Sequence, residues 1–156
     1  IMLIYIMRTF SLKKNECISK WFEIDCTDLS LGRIATISSH ILQNKNELNY
    51  CPHMRIYGNH VILLNIDKIQ YTGNKRQQKL YRRHTGYFGG LKEVTLEKML
   101  IKKPEHPIRH AIEGMISKGP STKFIMRRLH IYQDDKHVHQ AQTPIKFDIQ
   151  TYMGGK

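Results

Sequence analysis

Acidic side chains are scarce in this sequence. Thirteen Asp and Glu stand against 25 Lys and Arg, a formal charge of +12 before any of the nine His residues is counted. A compact domain with that excess repels itself unless a polyanion neutralises it. The imbalance argues against a basic domain that stands alone and for nucleic acid as partner, since each phosphate contact also releases condensed counterions. Cysteine is nearly missing too. Cys17, Cys26 and Cys51 lie far apart with no Cys-x-x-Cys spacing, which argues against a disulfide framework and a closed zinc site. Small core residues in a reducing compartment are their expected role. No apolar run approaches the roughly 20 residues of a membrane span, so no membrane partner is expected. The opening stretch Ile1 to Met7 is apolar, but it is too short for a signal h-region and lacks the Arg/Ser pattern of an organellar presequence. Internal repeats and low-complexity tracts are absent.

What is present suits one domain. At 156 residues, 40% hydrophobic and 24% charged, the chain can bury a core of its own. Trp21 to Cys26 alternates as a strand does and ends in a polar turn. Asp28 or Ser30 then caps a helix from about Leu31 to Leu42, whose apolar face is Leu31, Ile34, Ala35, Ile37 and Ile41. A strand leading into a capped helix is the first half of a βαβ unit. After a polar, irregular stretch broken by Pro52 and Gly58, His60 to Asn65 is a continuous apolar run, the pattern of a strand covered on both faces of a parallel sheet. Ile66 to Thr72 is a short segment and Gly73-Asn74 a turn. Thr95 caps a helix over about Leu96 to Lys102, stopped by Pro104. A further helix turns Ile108, Ala111, Ile112, Met115 and Ile116 to the core. Leu129 to Gln133 reads as a late strand, and from Asp134 a polar tail is expected to lie along a surface or a partner. The expected fold is a single three-layer α/β domain: a small, mainly parallel central sheet flanked by helices, with basic loops and an extended C-terminal tail.

The densest charge lies between Asn74 and Lys92. Lys75, Arg76, Lys79, Arg82, Arg83 and Lys92 are interleaved with Tyr81, His84, Tyr87 and Phe88, and Gly86, Gly89 and Gly90 punctuate the run. Cations supply phosphate contacts, aromatics stack on unpaired bases or pack on ribose, and glycines let backbone N–H groups approach a phosphate. A solvated charged hairpin with a flexible tip is the plainer alternative; the coincidence of all three residue types favours RNA. A second cluster, Lys118, Lys123, Arg127 and Arg128, surrounds Gly119-Pro120, with Ser121 as a cap for a short helix and Phe124, Ile125 and Leu129 assigned to the core.

Catalytic patterns are thin. Gly86 to Gly90 lacks the Gly-Lys-Ser/Thr ending of a P-loop and the Rossmann glycine spacing. His137-Val138-His139 near Asp134 and Asp135 suggests a metal site, but alternate residues of an extended strand point to opposite sides and no Cys or Glu completes a set. Exposed or RNA-facing histidines are the expectation. No metal, cofactor or small-molecule substrate is expected, and no enzymatic activity.

The residues also resemble a known family. Met7-Arg8-Thr9-Phe10, Trp21 with Ile24-Asp25, Leu31-Gly32-Arg33-Ile34-Ala35 and Tyr50-Cys51-Pro52-His53 come first. Asn65-Ile66-Asp67-Lys68, Thr72-Gly73-Asn74-Lys75, His84-Thr85-Gly86 and Gly89-Gly90-Leu91-Lys92 follow, then Gly114-Met115, Lys118-Gly119-Pro120, Leu129-His130-Ile131-Tyr132 and His137 with His139. In this order and spacing they resemble the universal large-subunit ribosomal protein thirteen family, in its bacterial and organellar form. The resemblance runs from Met7 to about Ile149, which leaves residues 1–6 and 150–156 as extensions. Glu113, Ser117 and Thr122 depart from the residues usual in that family. The resemblance implies a three-layer α/β protein bound to large-subunit rRNA early in assembly, with neighbouring ribosomal proteins as partners and no catalysis. It also implies rRNA contact by Thr72 to Lys75, His84 to Lys92 and Lys118 to Arg128.

Ile, Lys, Asn and Tyr are abundant, as codons of an AT-rich genome produce. With Ile1 in place of Met, expected from a processed or truncated end or a non-standard start codon, this points to a mitochondrial ribosome ahead of a plastid or the bacterial cytoplasm. Two other functions use the same residues: a regulatory RNA-binding module off the ribosome, and an RNA-processing enzyme with His84, His137 or His139 as acid and base.

Overall fold

The computed structural model describes residues 13, 17, 19–48 and 50–149. In chain order these form β1 (Trp21–Asp25), α1 (Leu31–Leu42), β2 (His60–Leu64), α2 (Lys75–Gln78), β3 (Leu80–His84), β4 (Leu91–Thr95), α3 (Leu96–Lys102), α4 (Glu105–Met115), α5 (Pro120–Met126), β5 (Leu129–Ile131) and β6 (Ile145–Lys146). Four strands make one parallel sheet in the order β5-β2-β1-β6, and β3 pairs with β4 in a separate antiparallel ribbon. The α/β class and the mainly parallel sheet flanked by helices are as expected from the sequence. The two extensions, residues 1–6 and 150–156, lie outside the described residues.

Period-2 alternation sorts the sheet's two faces. Phe22 and Ile24, Val61 and Leu63, and Leu129 and Ile131 are buried together against Ile34, Ile37 and Ile41 of α1 and Ile108 and Ile112 of α4. The continuous run of β2 is explained by its central place: Val61 and Leu63 join this core, while Ile62 and Leu64 are buried on the other face. Asn65 ends β2 in the left-handed region (φ 55°), where Asn is tolerated, and its Nδ2 donates to Asp25 Oδ1 at 3.1 Å. That bond ties together the carboxyl ends of two adjacent strands.

Several placements differ from the sequence reading. Arg128 is not a surface cation: it is 8% exposed, and its Nη2 donates to the carbonyls of Leu42 and Arg55, each at 2.9 Å. Leu42 is the last residue of α1, whose terminal carbonyls have no partner within the helix, so a cation there is favourable. Gly58 makes this approach possible, because a Cβ at that position would lie 2.4 Å from the Leu42 oxygen and 3.1 Å from Arg128 Nη1. Met115 is 44% exposed: it closes α4 beside Thr36, whose hydroxyl donates to its Sδ at 3.5 Å, and Ile116 fills the core after the helix has ended. Phe124 is 49% exposed and carries Arg127 over its ring at 5.7 Å. Ser121 is not a cap; α5 starts from Gly119 with Pro120 in its first turn. Of the cysteines only Cys26 is buried, and all three are free thiols. As far as Ile149 the tail lies along a surface, as expected from the sequence, and that surface is the sheet's edge. Ile145–Lys146 adds to the outer edge of β1, the Phe147 N–H donates to the Glu23 carbonyl at 2.8 Å, and Ile149 is buried.

Replacing Arg128 with Ala leaves one buried and one half-buried carbonyl without this donor, so we expect a loss of about 2–4 kcal/mol in urea unfolding. The salt dependence of RNA binding by the folded Arg128→Ala protein should match wild type, which checks its reassignment from RNA-contacting to structural residue.

Candidate nucleic-acid interface

The basic run expected to be an irregular loop folds instead as a short helix and a hairpin. α2 carries Lys75 and Arg76, Lys79 leads into β3, and the Leu96 N–H donates to the Lys79 carbonyl at 2.9 Å, closing the hairpin's base. Tyr81 anchors that base: its ring meets His106 and His110 of α4 edge-on at 5.9 and 5.7 Å between centroids. Beyond Tyr81 little of the ribbon is buried.

Register decides what the ribbon presents. Leu80 faces Thr95, Tyr81 Val94, Arg82 Glu93, Arg83 Lys92 and His84 Leu91. Arg82 is partly committed, since its Nε lies 2.6 Å from Glu93 Oε1. Arg83 and Lys92 face each other directly as like charges, and among the described residues neither forms an ion pair. Such a pair destabilises an isolated ribbon.

The tip needs its glycines. Gly86 and Gly89 have φ of 92° and 67°, a region costly for other residues, and a Cβ on Gly90 would lie 2.1 Å from Thr85 Oγ1. The turn is closed by Thr85 N–H to the Gly90 carbonyl (3.0 Å), Gly90 N–H to the Tyr87 carbonyl (2.9 Å) and Gly86 N–H to His84 Nδ1 (3.0 Å). With both backbone ends and the His84 ring engaged, Tyr87 and Phe88 are pushed into solvent, Phe88 completely.

The second cluster assembles around α5. Lys118, Lys123 and Arg127 are exposed there, and Arg55, absent from the sequence-based set, joins them by donating to Ser117 Oγ and, at 3.2 Å, to Ser121 Oγ. Arg55 follows Tyr50-Cys51-Pro52-His53 closely, but it is isolated in a polar stretch, so no charge cluster marked it. The structure thus gathers Lys75, Arg76, Lys79, Arg82, Arg83, His84, Gly86, Gly89, Gly90 and Lys92 on one protrusion and Lys118, Lys123 and Arg127 on another element. Arg128 stands apart in the interior.

His137 departs from the expectation of an exposed ring. Its Nε2 lies 3.0 Å from Glu23 Oε2, and its Nδ1 accepts from the His139 N–H at 3.1 Å. Residues 137–139 do not form a strand, so the two rings fall on the same side, 6.5 Å apart. His139, His60 and His130 gather about Trp21 at 5.0, 4.1 and 5.2 Å, a layer of rings on the sheet face opposite the helices. No group of three or more metal-ligating side chains occurs among the described residues, and no helix there is long and apolar enough to cross a membrane. Burial lowers the His60 pKa to about 4, with His130, Arg128 and His139 adding to the effect; burial also lowers that of His130. These two rings are neutral at neutral pH.

The family model for Ribosomal protein L13 matches residues 19–138, a span holding the sheet's first three strands, the hairpin and both basic clusters. The chain belongs to the ribosomal protein L13 family. The large ribosomal subunit protein uL13 of Nitrosomonas eutropha is 42% identical over 143 residues, covering 92% of this chain and 99% of the relative. That of Streptomyces avermitilis is also 42% identical over 143 residues, covering 92% and 97%. The resemblance carried by the short motifs is therefore real, and membership makes this a structural ribosomal protein and not an enzyme.

The ring layer sets a pH dependence. In the unfolded chain a histidine titrates near 6.5, whereas folded His60 titrates near 4. Between those values the unfolded state binds a proton that the folded state does not, so stability is full above pH 6.5 and falls as pH drops toward 4. Thermal melts should show a lower Tm at pH 5 than at pH 7.5, and His60→Phe should shrink the difference. Equal differences in both proteins would remove His60 as its source.

Proposed function

We propose that this L13-family chain is a structural constituent of the large ribosomal subunit that binds and stabilises large-subunit rRNA, with neighbouring large-subunit ribosomal proteins as its protein partners. The observation that carries the reading is the hairpin: Arg83 is set directly against Lys92 with no ion pair to relieve either among the described residues, below a tip whose aromatic rings lie in solvent. A two-stranded ribbon is marginal in water on its own, and this one opposes like charges where most ribbons place compatible pairs. A phosphate between Arg83 and Lys92 turns the repulsion into two charge-assisted contacts. Tyr87 and Phe88 then have bases or riboses to cover them. Lys75, Arg76, Lys79, His84 and the Gly89 N–H, which the bonds closing the turn do not use, extend the contact along the protrusion, and Lys118, Lys123 and Arg127 form a second contact about α5.

Early entry into assembly is the place the family resemblance implies, and it suits a ribbon that completes its packing on RNA. On its Ile-, Lys-, Asn- and Tyr-rich composition we assign the chain to a mitochondrial ribosome; a bacterial ribosome, as in the two relatives, or a plastid one is the alternative.

A native lysate and its organelle fraction, run through a high-salt sucrose gradient with this chain followed by mass spectrometry, test both parts. The chain should travel with the large subunit, and the fraction in which it does so names the compartment; a chain left at the top of the gradient would refute the ribosomal role. With purified protein, Arg83→Ala together with Lys92→Ala should lower the slope of log K against log salt by about 0.7–0.9 for each phosphate that is no longer neutralised. An unchanged slope would take both residues out of the interface.

A further inference from the structure

A cleft of about 850 Å³ opens where the start of α1 meets the Gln70–Lys79 segment and the end of α4. That volume lies in the range of small-ligand sites, about 300–1,000 Å³. Its lining is of two kinds. Leu31, Ala111 and Met115 are apolar, and three exposed cations come from two parts of the chain, Arg33 from α1 and Lys75 and Lys79 from the α2 segment. Among the described residues none of the three cations pairs with a carboxylate; the Lys75 ammonium donates to Thr72 Oγ1 at 2.8 Å, and the Lys79 ammonium lies over the Tyr81 ring, 5.5 Å from its centroid. The one acid in the lining, Asp28, already accepts from Gln70 Nε2 at 3.2 Å. This is an amphipathic cavity whose positive charge no carboxylate among the described residues neutralises, and an occupant that matches it has an anionic part joined to a flat, weakly polar part.

We propose that this cleft takes one unpaired nucleotide of the bound RNA, its phosphate held among Arg33, Lys75 and Lys79 and its sugar and base against Leu31, Ala111 and Met115. The inference rests on the RNA-binding reading and deepens it by giving Arg33 a role and the RNA strand a path. Position favours RNA over an acidic protein segment. Lys75 and Lys79 open the basic run that continues into the hairpin, and Lys79 is bonded through its carbonyl to the hairpin's base. A strand laid along the protrusion therefore reaches the cleft without leaving positive surface. A nucleotide also supplies the charged and the flat part in one unit, whereas an acidic peptide satisfies the cations and leaves the apolar lining to whatever side chain follows.

The test uses the full chain labelled in its methionine methyl groups, with the Met115 methyl as local reporter in NMR. Uridine monophosphate, uridine, inorganic phosphate and a short polyglutamate peptide are titrated in turn, and oligouridine binding is followed in parallel by fluorescence anisotropy. Uridine monophosphate should move the Met115 resonance more than uridine or phosphate does. Arg33→Gln, an exposed and conservative change, should weaken that binding about tenfold, the effect of losing one charge-assisted hydrogen bond. A Met115 methyl that stays still under the mononucleotide while oligouridine binds, with equal affinity in wild type and Arg33→Gln, overturns the cleft and leaves the RNA reading standing. Oligouridine that does not bind at all overturns both. Phosphate that moves the methyl as far as the nucleotide refutes the base and sugar seat, and polyglutamate that moves it at lower concentration replaces RNA with an acidic protein as occupant.

Discussion

Parallel pairing of Trp21–Asp25 with Phe22 and Ile24 turned to one side, against His60–Leu64, is the constraint from which the other placements follow. Two parallel neighbours cannot be joined by a tight turn; the chain must cross over between them. The first crossover is α1, which lays Ile34, Ile37 and Ile41 on the sheet. The second, from β2 to β5, is long enough to contain α2, the hairpin, α3, α4 and α5. The core takes from it Ile66 and Ile69 just after β2, the apolar side of α4 with Ile116, and Ile125 of α5, and nothing from the hairpin. Most of the charge therefore sits in a segment that the fold must include for topological reasons but does not need for packing.

This division sorts the cations. Arg128, at the point where the crossover re-enters the sheet, is drawn inward to finish the carbonyl end of α1. Arg109 and Arg82 are held by Glu105 and Glu93. Arg33, Lys75, Lys79, Arg83 and Lys92 have no acid beside them among the described residues. Paired surface ions add little to stability, whereas unpaired like charges held close cost something until an anion arrives. The protein thus carries its repulsion on the surface that we propose for rRNA.

How much of this the sequence reveals depends on whether a residue's environment is set locally. The boundaries of α1, α3 and β2 follow from apolar period and local punctuation, and the structure places them where those signals do. The hairpin is open in the sequence as an alternative, but its strands have no apolar face, since Arg82, Arg83, His84 and Lys92 fill positions that usually alternate. β6 is two residues long, too short for any period; contacts with the distant β1 fix it, the Phe147 N–H bond to Glu23 and the edge-on packing of Phe147 on Phe22 among them, together with burial of Ile149. Arg128 and Arg127 are adjacent and chemically identical, yet one is interior and one on the surface; only the Leu42 and Arg55 carbonyls, distant in sequence, distinguish them. His137 is settled by Glu23 in the same way. Glu23 is out of reach of a motif search because it lies in the first strand and His137 near the far end of the chain.

The shortness of the sheet's outer strands has a consequence for the chain before it meets RNA. β5 pairs over three residues and β6 over two, so among the described residues the sheet offers another polypeptide only a brief row of unpaired backbone groups on either side. Long, flat edges are templates for strand addition and aggregation, and short ones are a recognised protection. Before it meets RNA this is a free chain of formal charge +12. Keeping the sheet's margins short lets that chain wait at appreciable concentration without zipping onto copies of itself.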